Sequence, residues 1–275
     1  MISLMQLLKE VQGKPKAILL AGAPGAGKGY ILDKVNLSGL KTLNLDDTIV
    51  ALSKKDGFTL NQLKADFENR SKFMQAMRDA TTKLKGNPEK GIKGDLPQTI
   101  ENRESFVLDG TSASEKQTIK LLKRLEQAGY DILMLYVYTD LETALDNNQK
   151  RYEKAKEEGK DDRSLLPGAV IRTWKDVTKN FNTYKNEFDN FVSVANTGDS
   201  ETMKNIKDIL QTYVDPFQVK DGIPKTSDQQ QKSDQAKDDL NKEIQAILQS
   251  DQIQNIINTS VSSDEAKKII NTFLK

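Results

Sequence analysis

The sequence predicts a three-layer α/β fold, a parallel sheet of about five strands with helices on both faces. Three observations carry that expectation. Short apolar runs recur at Ala17–Leu20, Thr42–Leu45, Ser105–Asp109, Ile132–Tyr138 and Phe191–Val194, and amphipathic helical patterns separate them. The run Ile132–Tyr138 is apolar throughout, which suits an interior strand covered on both faces. Directly after the first run comes a glycine-rich stretch, Gly22-Ala23-Pro24-Gly25-Ala26-Gly27-Lys28-Gly29, leading into Tyr30-Ile31-Leu32.

Strand, glycine loop and helix start, in that order, are the context a phosphate-binding loop requires. Glycines let the backbone turn its N–H groups inward around an anion, and a helix N-terminus adds partial positive charge. Lys28 is placed to reach the β- and γ-phosphates of a nucleoside triphosphate. The expected nucleotide contacts are therefore Gly22, Ala23, Pro24, Gly25, Ala26, Gly27, Lys28, Gly29 and Tyr30, with ATP or GTP as ligand. The residue after the lysine normally carries a hydroxyl for Mg²⁺, and here it is Gly29. Two readings stay open: a non-hydrolysing site, or a metal held through water and a carboxylate, which Mg²⁺ accepts.

Composition narrows the chemistry. A chain of 275 residues is long enough for one such core and an appendage. The formal net charge is +1, so no overall basic field indicates nucleic acid or an anionic membrane. No apolar stretch is long enough to span a bilayer. Residues 1–10 read as an amphipathic helix rather than a leader, and the expected compartment is the cytoplasm. Cysteine and histidine are both absent. That excludes disulfides, thiolate zinc sites, cysteine nucleophiles and Ser-His-Asp triads. General bases must then be carboxylates or lysines, and transition-state charge must be met by Arg, Lys, backbone or Mg²⁺.

The remaining elements follow in order. The loop helix should run from Lys28 to about Asn36. The second strand ends in Asp46-Asp47-Thr48, and carboxylates at the carboxyl end of a parallel strand face the ligand crevice. The same residues would also suit a helix start. Thr59-Leu60-Asn61-Gln62 reads as a capping box opening a helix that runs through Phe67, Phe73 and Met77 to Lys85. Glycines and prolines from Gly86 to Pro97 should keep the chain irregular to Gln98, as a loop over the acceptor. Asp109 closes the third strand, where a metal-organising carboxylate belongs. Ser114 begins a helix ended by Gly129. Leu141–Glu158 forms a polar helix carrying Arg151, and a charged loop with Arg163 follows. A helix with Val170, Ile171, Trp174, Val177 and Phe181 on one face then leads to the last strand, and a helix from Glu201 to Tyr213 closes the core.

Residues 1–216 should thus form the phosphate-loop domain, with a lid at about 150–168. Residues 217–238 read as a polar linker or the start of a solvated helix. Residues 239–275 carry two amphipathic patterns too small to bury a core alone. They should dock on the main domain, on a second copy or on a protein partner.

The order of these motifs resembles the zeta-toxin family of phosphate-loop kinases over about residues 16 to 200, and the loop itself is also similar to that of adenylate kinases. The similarity lies in the glycine loop, in Asn44-Leu45-Asp46-Asp47-Thr48, in Asp109-Gly110-Thr111, in Ala128-Gly129-Tyr130 before an apolar strand, and in Arg151-Tyr152-Glu153 with Arg163 beyond. The resemblance implies a phosphotransferase using Mg²⁺ and acting on a small-molecule hydroxyl, that of a sugar nucleotide. It implies Asp47 as the base, with Asp46 second, and Lys28, Arg151 and Arg163 as the cations of the transfer. Asp46, Asp109 and Thr111 would lie on the substrate side, with Asp109 and Asp46 organising the metal through water. Two alternatives stay open on the residues alone: a nucleoside-monophosphate or small-metabolite kinase, and a non-catalytic nucleotide-binding assembly protein acting through its C-terminal helices.

Overall fold

A computed structural model describes residues 13–33, 35, 37–61, 65–158, 165–196 and 227–275. The N-terminal helix, the charged loop with Arg163, the helix from Glu201 to Tyr213 and the first part of the polar linker (217–226), all expected from the sequence, lie outside the described residues.

The strands are β1 (Lys16–Ala21), β2 (Lys41–Asn44), β3 (Phe106–Asp109), β4 (Asp131–Thr139) and β5 (Asn190–Asn196). They form one sheet in the order β2-β3-β1-β4-β5, parallel throughout. The chain leaves β1 for the far edge at β2, returns at β3 and then crosses to β4, so the strand order reverses at β1. Ligand crevices form outside the carboxyl end of such a strand, and here that end opens into the glycine loop.

The helices are α1 (Lys28–Leu32), α2 (Leu45–Asp56), α3 (Phe67–Lys85), α4 (Asp95–Glu101), α5 (Glu115–Gln127), α6 (Leu141–Glu157), α7 (Pro167–Glu187), α8 (Ser227–Leu248), α9 (Gln252–Thr259) and α10 (Ser263–Leu274). Alternation along the strands sorts the core into two layers. Ala17, Leu19, Met134 and Tyr136 face Ile100, Leu125, Trp174 and Phe181, from α4, α5 and α7, and Ile244 and Ile256 join them from α8 and α9. Ile18, Leu20, Leu133 and Val194 face Ile31 of α1 and Ala266 and Ile270 of α10. Trp174 is a satisfied core residue, its indole N–H donating to the Thr139 carbonyl at 2.8 Å. A third cluster, with Ile49, Phe58, Leu60 and Phe73, joins α2 to α3 at the sheet edge.

Several boundaries differ from expectation. Strand β2 stops at Asn44 because the Asn44 side chain caps α2, accepting from the Asp46 amide at 2.7 Å. Helix α1 ends at Leu32 rather than near Asn36. Thr59 does not open a helix. Its hydroxyl accepts from the Asn61 amide at 3.1 Å in a local turn, and Asp66 caps α3 instead. The stretch after Gly86 is ordered, not an open loop. Gly86 and Gly94 pack backbone to backbone, where a Cβ on Gly94 would lie 2.2 Å from the Gly86 nitrogen. A 3₁₀ turn at Pro88–Lys90 and helix α4 follow; Pro97 fits because the first turn of a helix needs no N–H there.

The C-terminal segment begins earlier and holds three helices. Its polar start is helical from Ser227, supported by i,i+4 pairs Gln230–Asp234 and Gln235–Asp239. It docks on the chain's own core. Lys175 and Lys179 of α7 grip Glu243 of α8 at 2.9 and 2.7 Å. Val261 then pairs parallel with Val194 as a one-residue extension of the sheet, its amide donating to the Ser193 carbonyl at 2.8 Å. No described helix is long and apolar enough to cross a membrane.

Candidate functional site

The glycine loop is shaped by close backbone approach. Gly22, Gly25 and Gly27 have φ values of 150°, 84° and 90°. A Cβ would lie 2.5 Å from the Val137 carbonyl at Gly22, 2.4 Å from the Ala144 carbonyl at Gly25, and 2.8 Å from the Asn196 carboxamide at Gly27. Gly22 and Gly25 meet backbone and must be glycine, while at Gly27 the positive φ is what calls for glycine. Gly29 is different: nothing lies within 4 Å of its would-be Cβ. Its missing hydroxyl is not a steric requirement of the fold.

The loop is fixed from three sides. The Gly22 amide donates to the Thr111 carbonyl at 3.2 Å, so Thr111 meets the loop through its backbone. Asn147 of α6 donates to the Gly25 carbonyl at 2.9 Å, and Asn196 of β5 donates to the Ala26 carbonyl at 2.7 Å. The Lys28 ammonium donates to the carbonyls of Gly22 and Ala23 at 2.8 and 3.0 Å. Beside the loop, Ser112 adopts φ 48°, a left-handed conformation rare for serine. It is held by its own hydroxyl on the Leu20 carbonyl and by the Tyr184 hydroxyl on its carbonyl.

The carboxylates meet the loop across β3. That strand lies between β1 and β2, and its register pairs Asp109 with Asn44. The Asn44 carboxamide donates to Asp109 at 3.0 Å while its oxygen caps α2, linking the end of β3 to the turn that carries Asp46 and Asp47. Burial pushes the Asp109 carboxyl above the ordinary aspartate range. Lys28 pulls it down, Asp46 and Asp47 push it up further, and Arg151 pulls it down. Lys28, Asp46, Asp47, Asp109 and Arg151 thus share one electrostatic neighbourhood. Asp46 is half-buried and Asp47 exposed in the first turn of α2.

Arg151 is exposed on α6, one turn beyond Asn147. Its neighbour Tyr152 accepts from Asn61 at 2.6 Å, joining α6 to the segment after α2. Tyr30 projects from α1 with 56% of its surface exposed, and the Lys267 ammonium of α10 sits 5.2 Å from its ring centre. Arg163 lies outside the described residues.

Sequence reasoning missed Asn147 and Asn196 as site residues, and took Asn44 only as part of a matching stretch. A signal existed for one of them: Asn147-Asn148 lies mid-helix, where asparagine is a weak helix former and has no cap to make. The structure gives both a partner, Asn148 donating to the Leu165 carbonyl at 3.1 Å.

Among the described residues no group of three or more candidate ligands could hold a metal alone. The donor set still fits Mg²⁺, which retains several waters and takes one or two carboxylates together with substrate phosphates. Asp109 and Asp46, joined through the Asn44 side chain, supply that number.

A parallel sheet reversing at β1, a glycine loop closed by Lys28 and a carboxylate at the end of β3 define a phosphate-loop nucleotide-binding fold of the kinase class. The zeta toxin family model matches residues 4–50 and 91–209, more than half of the chain. The chain belongs to the zeta toxin family, and with it to the phosphate-loop phosphotransferases as a class. A structure from the PezAT chromosomal toxin–antitoxin system of Streptococcus pneumoniae is similar at 15% identity over 90% of this chain and 94% of that one, with a TM-score of 0.42. AvrRxo1-ORF1:-ORF2 with ATP is similar at 18% identity over 68% and 56%, TM-score 0.42. A putative kinase from Chloroflexus aurantiacus is similar at 12% identity over 53% and 71%, TM-score 0.37. No curated protein matches the chain.

Proposed function

We propose that this chain transfers the γ-phosphoryl group of ATP or GTP to a hydroxyl of a small molecule, with sugar nucleotides as the first acceptor class to test. The observation that carries the reading is the tie at the mouth of the loop, where Asn44 joins the half-buried Asp109 to the turn of Asp46 and Asp47, within the electrostatic reach of Lys28 and Arg151. Three carboxylates and two cations at the mouth of a phosphate loop match the needs of phosphoryl transfer, which asks for positioning and charge more than for covalent chemistry.

In this scheme the loop amides and Lys28 hold the triphosphate. Asp109, with Asp46, would hold Mg²⁺ through water, and the metal would supply positive charge against the phosphates. Asp47 takes the proton of the acceptor hydroxyl, with Asp46 as the second choice for that role. The acceptor oxygen forms a bond to the γ-phosphorus as the bond from that phosphorus to the β,γ-bridging oxygen breaks, releasing ADP or GDP. Arg151, joined by Arg163, meets the charge on the transferring group.

The test is ³¹P NMR with Mg-ATP or Mg-GTP and a pool of sugar nucleotides and nucleoside monophosphates. A new phosphate ester should appear with the wild type and be absent with Lys28→Ala. Asp47→Asn should bind nucleotide with little change and lose at least ~100-fold in transfer rate. Full transfer by Lys28→Ala would refute the site, and an unchanged rate in Asp47→Asn would move the base to Asp46. Nucleotide bound but unchanged across the whole pool would favour the binding-protein alternative.

A further inference from the structure

The phosphate loop makes few contacts through its own side chains, so something else must hold its curvature. Two carboxamides from separate elements reach it. Asn147 of α6 donates to the carbonyl of Gly25, and Asn196 at the end of β5 donates to the carbonyl of the next residue, Ala26. Each is itself anchored. Thr139 donates through its hydroxyl to the Asn196 carbonyl at 2.6 Å, fixing the end of β5 to the end of β4. Helix α6 lies so close to the loop that a Cβ on Gly25 would meet the Ala144 carbonyl at 2.4 Å.

We propose that Asn147 and Asn196 are positioning residues for phosphoryl transfer, gripping consecutive loop carbonyls so that the loop is shaped before nucleotide arrives. The inference rests on the nucleotide reading above. The C=O and N–H of one trans peptide point opposite ways. Holding the Ala26 carbonyl therefore turns the Gly27 N–H to the opposite side, away from Asn196. Holding the Gly25 carbonyl fixes the peptide whose N–H closes the turn onto the Ala23 carbonyl at 3.2 Å. A loop fixed in this way pays no ordering cost on binding, which raises affinity.

Asn147 has a second task. It is four residues before Arg151, one turn along the same face of α6. The grip on Gly25 therefore sets the register of Arg151 relative to the phosphates. Loss of Asn196 should weaken ground-state nucleotide binding. Loss of Asn147 should weaken the stage at which Arg151 acts.

The experiment measures the affinity of the full chain for Mg-ADP, and for Mg-ADP with aluminium fluoride as a mimic of the transferring phosphoryl group. Thermal unfolding of each protein without ligand is recorded alongside. Asn196→Leu should bind Mg-ADP about tenfold more weakly, with a ligand-free unfolding midpoint close to wild type. Asn147→Leu should lose most of the extra affinity for the fluoride complex, as Arg151→Ala does. Asn147→Gln, which keeps the donor at an exposed position, should recover it. Wild-type affinities in both leucine variants would overturn the proposal, as would losses that merely follow a fall in the ligand-free midpoint. A wild-type chain that binds neither ligand would overturn the nucleotide reading itself, and the grip with it.

Discussion

The phosphate loop and the C-terminal helices sit on the same sheet and are held there by opposite means. The loop depends on backbone shape, with glycines at three close approaches and carbonyls gripped by asparagines, and its side chains contribute little apolar surface. The helices depend on side-chain burial, with Ile244, Ile256 and Ile270 fully enclosed. Backbone shape is intolerant of a single added carbon, and an error there reaches nucleotide affinity as well as stability. Apolar burial is graded, and each residue contributes about 1.5–3 kcal/mol to the whole. The difference separates damage to the site from damage to the fold.

The sharpest way to break the comparison is Gly25→Ala. Its φ is positive, and the added carbon meets the Ala144 backbone at 2.4 Å, so the loop or helix α6 must move. Nucleotide affinity should fall by more than about tenfold, and stability by about 2 kcal/mol. Gly29→Ser is the control in the same loop, because its Cβ enters open space. It should fold normally and bind Mg-nucleotide at least as well as wild type. Calorimetric titration of both variants checks the pair, and equal losses in the two would refute the steric account.

Ile270→Ala tests the other side. This residue is fully buried between α10 and the sheet layer that contains Ile31 of the loop helix. The substitution should cost about 2–5 kcal/mol of unfolding free energy. Nucleotide affinity at a temperature where the variant remains folded should stay near wild type. The same burial revises what a tail deletion reports. Removing residues 227–275 strips side chains from both core layers, so lost activity in such a variant would signal a weakened fold and not a missing partner.

The contrast also explains what was legible in the sequence. The loop could be read because its constraints are local: Gly25 and Gly27 announce left-handed backbone, and Lys28 follows at fixed spacing. Asp46, Asp47 and Asp109 were legible as strand exits, since parallel topology brings such ends together. Asn196 was not, because its role exists only once β5 lies beside β4 and the loop folds back toward it. The C-terminal isoleucines announced amphipathic helices, yet periodicity names a buried face without naming what buries it. Gly86 and Gly94 misled for the same reason. Each looked like a flexible breaker, and their function is a close backbone contact with each other, across a turn that neither residue announces alone.

The smallest expected effect concerns the polar part of the C-terminal docking. Glu243 of α8 accepts from Lys179 and Lys175, and these bonds hold its carboxyl down to about 2 from an ordinary 4.5. A depressed carboxylate stabilises the fold at pH values above 4.5, and that contribution disappears as the pH falls toward 2. The side chain is 43% exposed, so solvent screening limits the pair to less than about 1 kcal/mol. Unfolding free energies of wild type and Glu243→Gln should therefore differ by a few tenths of a kcal/mol near neutral pH, converge between pH 4.5 and 2, and converge also in molar salt. A difference that persisted at low pH would mean that the introduced carboxamide disturbs packing between α7 and α8. Charge would then be secondary even in the polar part of this interface, and apolar burial would account for the docking alone.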